Sequence, residues 1–346
     1  MHDLREDLLH HEDLTVGRPQ VFAVTRPSEA EILAFRREYD PLPPPAADKN
    51  DKQARLAPVC ASPLHVCAMM MRAFCDGFLN RIASLGAPGV DEVTWSLPVR
   101  PGDVLSLRHR IVEKRDLASR PDVGLSKTVV ELVNGRDEVA AGWITNQLVR
   151  RRHPASARAT SRRIARAPLV SLWDDPAPAA APSFDVFFED ARLGAKTDFG
   201  HHAFAEAEII AFARRFDPQP FHTDPAGAKG SLFAGLCASG WHTIAAASRA
   251  AATARLSCNA AARQRGLELP VLAPAAAWRD LRWPRPVYVN DVVEFRARLS
   301  EKTAHPLRRD VGLIGTEVQG RNQRGEIVLA YAARSLWPRR QAQPRR

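Results

Sequence analysis

EAEILAFRREYDPLP at residues 29–43 lies over EAEIIAFARRFDPQP at residues 206–220, with ten of the fifteen positions identical. The offset of 177 also carries Cys60-Ala61-Ser62 onto Cys237-Ala238-Ser239, His65 onto His242 and Arg72 onto Arg249 without a gap. Further along the offset becomes 188, and Trp95 meets Trp283, Pro98 meets Pro286, Asp103 meets Asp291, and DVGL at 122–125 meets DVGL at 310–313. A repeat of this length, present twice, makes each copy one structural unit. The eleven extra residues of the second copy fall between Arg249 and Trp283, where they predict a longer helix end and a loop.

Each copy reads in the same order. Ile209, Phe212, Ala213 and Phe216 recur at i, i+3, i+4 and i+7, which gives a short helix with one apolar face. A loop rich in Asp, Pro and His follows. Next comes CASGWHTIAAASRAAATA, apolar nearly all round, which predicts a buried helix. Residues 292–302, 311–320 and 326–337 are rich in strand formers, and NQRG at 322–325 and NGRD at 134–137 are natural hairpin turns. One buried helix wrapped by an antiparallel sheet, twice over, is an α+β layout. The domains expected are an N-terminal tail (1–20), a first unit (21–152), an Arg/Ala/Pro-rich linker (153–182), a second unit (183–338) and a basic tail (339–346).

Composition narrows the class. Charged residues at 25% and apolar residues at 45% are ordinary for a globular chain. No run of eighteen apolar residues is present, and MHDLREDLLHHEDL has no apolar core of a secretory signal, so a cytoplasmic location without membrane contact is expected. The net charge is +10, yet seven arginines between 150 and 168 and four more at 339–346 exceed it, leaving the remainder about neutral. The expected role of these segments is solvation, and no specific nucleic-acid partner follows, because no aromatic side chains are interleaved with them. Five cysteines without a CxxC pair read as reduced, packed thiols. The spacing of Cys60, His65 and Cys67 suits no common zinc site, so no metal is expected.

The stretch FDPQPFHTDPAGAKGSLFAGLCASGWHT (216–243) resembles the active-site segment of the MaoC-like dehydratases, also called hydratase 2. Their pattern D-x-N-P-x-H reads here Asp217-Pro218-Gln219-Pro220-Phe221-His222, with Gln219 where many members carry Asn. The likeness extends over most of 184–337. It implies two tandem hotdog folds and reversible syn addition of water to a trans-2-enoyl-CoA, giving an (R)-3-hydroxyacyl-CoA, with neither cofactor nor metal. It also implies an acyl-CoA thioester as the partner molecule and a homodimer of the two-domain chain as an open assembly.

By the same resemblance Asp217 and His222 are the catalytic pair, and the Gly240 N–H is the donor to the enolate oxygen. A carboxylate and an imidazole facing one water can orient it, take a proton and return one at C2. Asp217 is assigned as base with His222 delivering the proton, the reverse order staying open. Gly240, at the start of the buried helix, would offer a free donor and let the thioester approach closely. Gln219, Ser239 and Trp241 are taken as substrate-binding neighbours, while Ser239 is also a natural helix cap and Asp224 a cap or turn residue.

The first copy keeps Asp40 but has Pro45 opposite His222 and Pro63 opposite Gly240, and proline can neither pass a proton nor offer an N–H. That copy is expected to be noncatalytic and to complete the acyl tunnel, with Met69, Met70 and Met71 as an adaptable lining or as ordinary core. His242, shared with His65, is expected to be structural, and Trp95 and Trp283 to pack. A noncatalytic acyl-CoA-binding protein, an acyl-carrier-protein dehydratase and a thioesterase remain the competing readings, because fold alone does not choose among them.

Overall fold

The computed structural model describes residues 8–23, 26–42, 59–117, 119–154, 169–174, 184–272 and 275–340. Pro45, most of the linker and the last six residues, which include six of the arginines counted above, lie outside them. The described residues form five strands and two α-helices, then five strands and four α-helices: β1 (Pro19–Ala23), α1 (Glu29–Tyr39), α2 (Pro63–Gly77), β2 (Gly89–Trp95), β3 (Leu105–Leu117), β4 (Arg120–Asn134), β5 (Val139–Arg150), β6 (Lys196–Ala203), α3 (Glu206–Phe216), α4 (Pro220–Thr223), α5 (Pro225–Ala228), α6 (Gly240–Gln264), β7 (Ala277–Arg282), β8 (Val292–Ala304), β9 (Val311–Asn322) and β10 (Ile327–Pro338).

All ten strands make one antiparallel sheet in the order β1-β3-β4-β5-β2-β7-β10-β9-β8-β6. Each half of that order repeats the other in reverse, so the halves meet edge to edge where β2 pairs with β7. Joining two five-stranded sheets at their edges satisfies one open edge on each, which would otherwise present unpaired backbone groups. This is the double hotdog architecture, two sheets each curved around its own helix, as the repeat predicts.

α1 and α3 bury the faces expected of them: Ile32, Phe35 and Tyr39 in one, Ile209, Phe212, Ala213 and Phe216 in the other. Their C-terminal caps are Asp40 and Asp217, with nearly the same backbone angles (φ −147°, ψ 69° and 66°). The buried-helix expectation needs a correction for α6. Trp241 through Ala247 are buried all round, but from Ser248 onward the exposed positions alternate with buried ones. The cause is length: α6 has 25 residues against 15 in α2, so its last three turns run past the sheet that covers the first two. The eleven extra residues thus appear as helix extension and loop.

Two strands of the second half were not legible as strands, and β6 shows why. It is a sheet edge with exposed or half-exposed residues at every position, so no apolar alternation marks it. The sequence also hid a repeated clasp. The 3-10 turns His11–Asp13 and Phe188–Asp190 begin the two halves. Lys114 Nζ donates to the Glu12 and Leu14 carbonyls, and Lys302 Nζ to those of Glu189 and Ala191. Arg151 and Arg152 pair with Glu12 and Asp13, while Arg339 and Arg340 pair with Glu189 and Asp190. These four arginines, read from sequence as part of solvated basic segments, instead tie the end of each half to its beginning. The first half therefore uses residues ahead of position 21.

Candidate active site

The DPQPFH segment is shaped by its own backbone. Asp217 caps α3 through its N–H to the Ala213 carbonyl (2.8 Å), Gln219 N–H returns to the Asp217 carbonyl (2.7 Å), and His222 N–H to the Gln219 carbonyl (2.9 Å). Pro220 opens α4 at a position where its missing N–H costs nothing. The result turns Asp217 and His222, five residues apart, toward each other: His222 Nε2 lies 3.6 Å from Asp217 Oδ2, with both side chains buried. His222 Nδ1 is 2.8 Å from the Cys237 carbonyl, which can only accept, so Nδ1 carries a hydrogen and Nε2 is the nitrogen turned toward Asp217.

The carboxylate is held by three donors. Ser239 Oγ donates to Oδ2 (2.6 Å), while Gln219 Nε2 (2.9 Å) and Cys75 Sγ (3.3 Å) donate to Oδ1. Cys75 comes from α2 of the first half, and burial together with Asp217 pushes its thiol well above the usual range, so it stays a donor. Gln219 Oε1 accepts in turn from Ser84 Oγ (3.1 Å), also of the first half. Sequence reasoning missed Cys75 and Ser84. The repeat gives no signal for Cys75, whose counterpart in the second copy is Ala252.

A cavity of about 240 Å³ opens on this pair. From the second half it is lined by Asp217, Gln219, His222, Gly240, Trp241 and Trp283, and from the first half by Met71, Phe74, Trp143, Thr145 and Gln147, among others. Trp241 lines the cavity, its ring 5.0 Å from that of Trp143. Ser239, taken from sequence as substrate-binding, is 0% exposed; it caps α6 by accepting the Trp241 N–H and holds Asp217. Gln219 lines the cavity, but its amide is engaged by Asp217 and Ser84. Met69 and Met70 are core, and of the three methionines only Met71 reaches the cavity.

Gly240 begins α6, and no hydrogen bond to its N–H is made among the described residues, as expected of a first-turn amide. The structure adds a reason for glycine that the sequence did not offer. A Cβ at 240 would fall within 3 Å of the Trp283 ring, so the missing side chain makes room for that indole. Trp283 Nε1 donates to the Gly240 carbonyl (3.0 Å), and its repeat partner Trp95 donates to the Pro63 carbonyl (3.0 Å). In the first half Ser62 likewise holds Asp40, whose carboxyl is raised by burial, but Pro63 has no N–H to give. His242 stacks on Phe212 as His65 stacks on Phe35, which agrees with a packing role. Asp224 caps α5 through the Ala226 N–H.

An acid–imidazole pair at one end of an apolar cavity, walled by the other half of a tandem hotdog, defines this as a double hotdog protein with one equipped site. Over 96% of its length it is similar to a MaoC domain protein dehydratase from Chloroflexus aurantiacus (18% identity, 98% of that chain, TM-score 0.71). A Mycobacterium tuberculosis protein described as a double hotdog is similar over 96% of this chain and 99% of its own (18% identity, TM-score 0.64). A MaoC-like dehydratase from Rhodospirillum rubrum is 34% identical over 45% of this chain and 99% of that one, with a TM-score of 0.38. No curated protein matches the sequence. Residues 189–320 match the family model described as MaoC like domain, so this segment of the chain is a MaoC-like domain.

Proposed function

We propose that the protein hydrates trans-2-enoyl-CoA thioesters reversibly to (R)-3-hydroxyacyl-CoA. The supporting observation is that His222 Nε2 and the Asp217 carboxylate face each other across 3.6 Å at the cavity wall. That gap is long for a direct bond but suits one water touching both.

In this reading Asp217, whose lone pairs are already engaged by three donors, orients the water, and His222 Nε2 takes its proton as the oxygen bonds to C3. This reverses the order favoured from sequence. The C2=C3 electron pair moves to form an enolate, whose oxygen the Gly240 N–H at the head of α6 stabilises. The imidazolium then returns the proton to C2, so water has added with atoms and charge in balance. Delivery of oxygen and proton from one side gives syn addition. The first unit, about 11–152, is the noncatalytic partner that walls the acyl cavity, and the second, about 184–340, carries the chemistry.

The test is the loss of enoyl absorbance with short- and medium-chain trans-2-enoyl thioesters on coenzyme A and on acyl carrier protein. Asp217→Asn and His222→Ala are each expected to lower kcat by about 10²–10⁴-fold, the usual worth of a positioned acid–base group. Hydration by the parent that His222→Ala leaves unchanged would sink the proposal, and release of free thiol would replace it with thioester hydrolysis. Faster turnover on one carrier identifies which thioester is used.

A further inference from the structure

The wall of the cavity contributed by the first half is not uniformly apolar. Along β5, Trp143, Thr145 and Gln147 point to one face, as alternate strand residues must, and all three line the cavity. In the β4–β5 register Thr128 sits opposite Thr145 and Ser126 opposite Gln147, so the four polar side chains share that face as neighbours. All four are buried, from 0% to 4% exposed. Thr145 Oγ1 donates to the Gly89 carbonyl (3.3 Å), but the Ser126 and Thr128 hydroxyls have no partner among the described residues. The Gln147 amide lines the cavity and makes no side-chain hydrogen bond among the described residues.

The repeat shows that two of these four positions are apolar in the other half. The positions corresponding to Ser126, Thr128, Thr145 and Gln147 are Ile314, Thr316, Ala333 and Ser335, in the same strand register. Ile314 packs there with Phe188 and Trp337 in an apolar cluster. A sheet position that accepts Ile in one copy has no structural need for a hydroxyl in the other. Buried polar groups without partners are disfavoured, and Thr145 and Gln147, which line the cavity, are the ones that a bound polar group can reach.

The structure assigns Gln147, supported by Thr145, Thr128 and Ser126, as the specificity site for a neutral hydrogen-bonding group, a hydroxyl or carbonyl oxygen, on the acyl chain of the thioester. Charge decides for neutral. Apart from Asp217, His222 and the Cys237 thiol, the only ionisable side chain along the cavity among the described residues is Arg285, which is 67% exposed and lies near Glu326 (3.9 Å), so a carboxylate entering the pocket would lose its water without gaining a buried cation. Size decides for short: about 240 Å³ exceeds by roughly half the ~150 Å³ cavity that holds a benzene ring. The identity of the thioester rests on the hydration reading, but the recognition does not need turnover.

Binding of saturated, unreactive acyl-CoA pairs therefore tests it separately. The probes are hexanoyl-CoA against 5-hydroxypentanoyl-CoA, and the isosteric pairs one carbon shorter and longer, titrated calorimetrically into the full chain. At least one hydroxylated probe is expected to bind about tenfold tighter than its alkyl isostere, the worth of one hydrogen bond. Gln147→Leu and, as a second variant of unbranched shape, Gln147→Met are expected to erase or invert that ratio while circular dichroism stays that of the parent. Equal or tighter binding of every alkyl isostere by the parent overturns the assignment and leaves the cluster as a seat for internal water only. A preference that survives both substitutions also overturns it, as does failure of all the thioesters to bind. A preference without hydration would instead sink the proposed reaction and keep this site.

Discussion

At the scale of single residues, Gly240 and Cys75 carry the sharpest consequences. A methyl at 240 would push into the Trp283 ring, and overpacking of a tight site costs about 1–3 kcal/mol. Gly240→Ala is therefore expected to lower the urea midpoint and the hydration rate together. Adding Trp283→Phe should recover part of the stability, since residues in contact do not add independently. No recovery in the double variant would show that the clash is not with Trp283. Cys75 makes a different prediction. Cys75→Ala removes one of three donors from Asp217, and kcat is expected to fall several-fold with the acid limb of its pH profile displaced, while Cys75→Ser restores both. An unaltered profile in Cys75→Ala would mean that the thiol only fills space. The Asp217–His222–Gly240 set was legible because it sits in one continuous stretch. Cys75, Ser84 and Gln147 were not, because a residue some 70 to 140 positions away leaves no local mark of the group it will face.

At the scale of elements, the lysine clasps are the repeated feature with a measurable weight. Lys302 Nζ donates to two carbonyls of the turn that opens its half and lies 5.1 Å from the Phe188 ring centre, and Lys114 Nζ donates to two carbonyls of the earlier turn. Lys302→Met and Lys114→Met are each expected to reduce stability by about 1 kcal/mol, read as a shift of the urea midpoint at constant slope. A midpoint that does not move would reduce the clasps to surface contacts. The amphipathic helices α1 and α3 and the turns at 134–137 and 322–325 could be read from pattern alone. The edge strand β6 could not, since a strand with little to bury shows no alternation.

At the scale of the whole molecule, folding makes four histidines poorer bases, since burial lowers His11, His65, His109 and His242. Burial pushes His65 and His109 down to about 4, His65 against Phe35 and His109 among Phe22, Phe74 and Phe78. Their folded values lie below the unfolded value near 6.5, so the folded state binds fewer protons, and stability present above pH 6.5 is lost as pH falls toward 4. Between pH 6.5 and 5 the loss is roughly 2 kcal/mol for each ring. The urea midpoint is expected to drop across that window, and to drop less in His109→Phe; equal slopes in the two proteins would place the acid sensitivity elsewhere. Among the described residues no helix is long and apolar enough to cross a membrane.

The sequence by itself determined that the chain is built twice, that each unit pairs an amphipathic helix with a second, more buried one and a set of strands, and that one copy lost the groups the other kept. Those are matters of order and periodicity along a single strand of residues, where burial on one face leaves its mark. Only the tertiary structure decided that the two sheets join through β2 and β7, that the first half supplies a thiol and a polar wall to the second half's cavity, and that Gly240 yields its space to an indole. Each of these depends on which surfaces meet, and close packing between distant segments is set by complementary shape, for which no spacing rule exists.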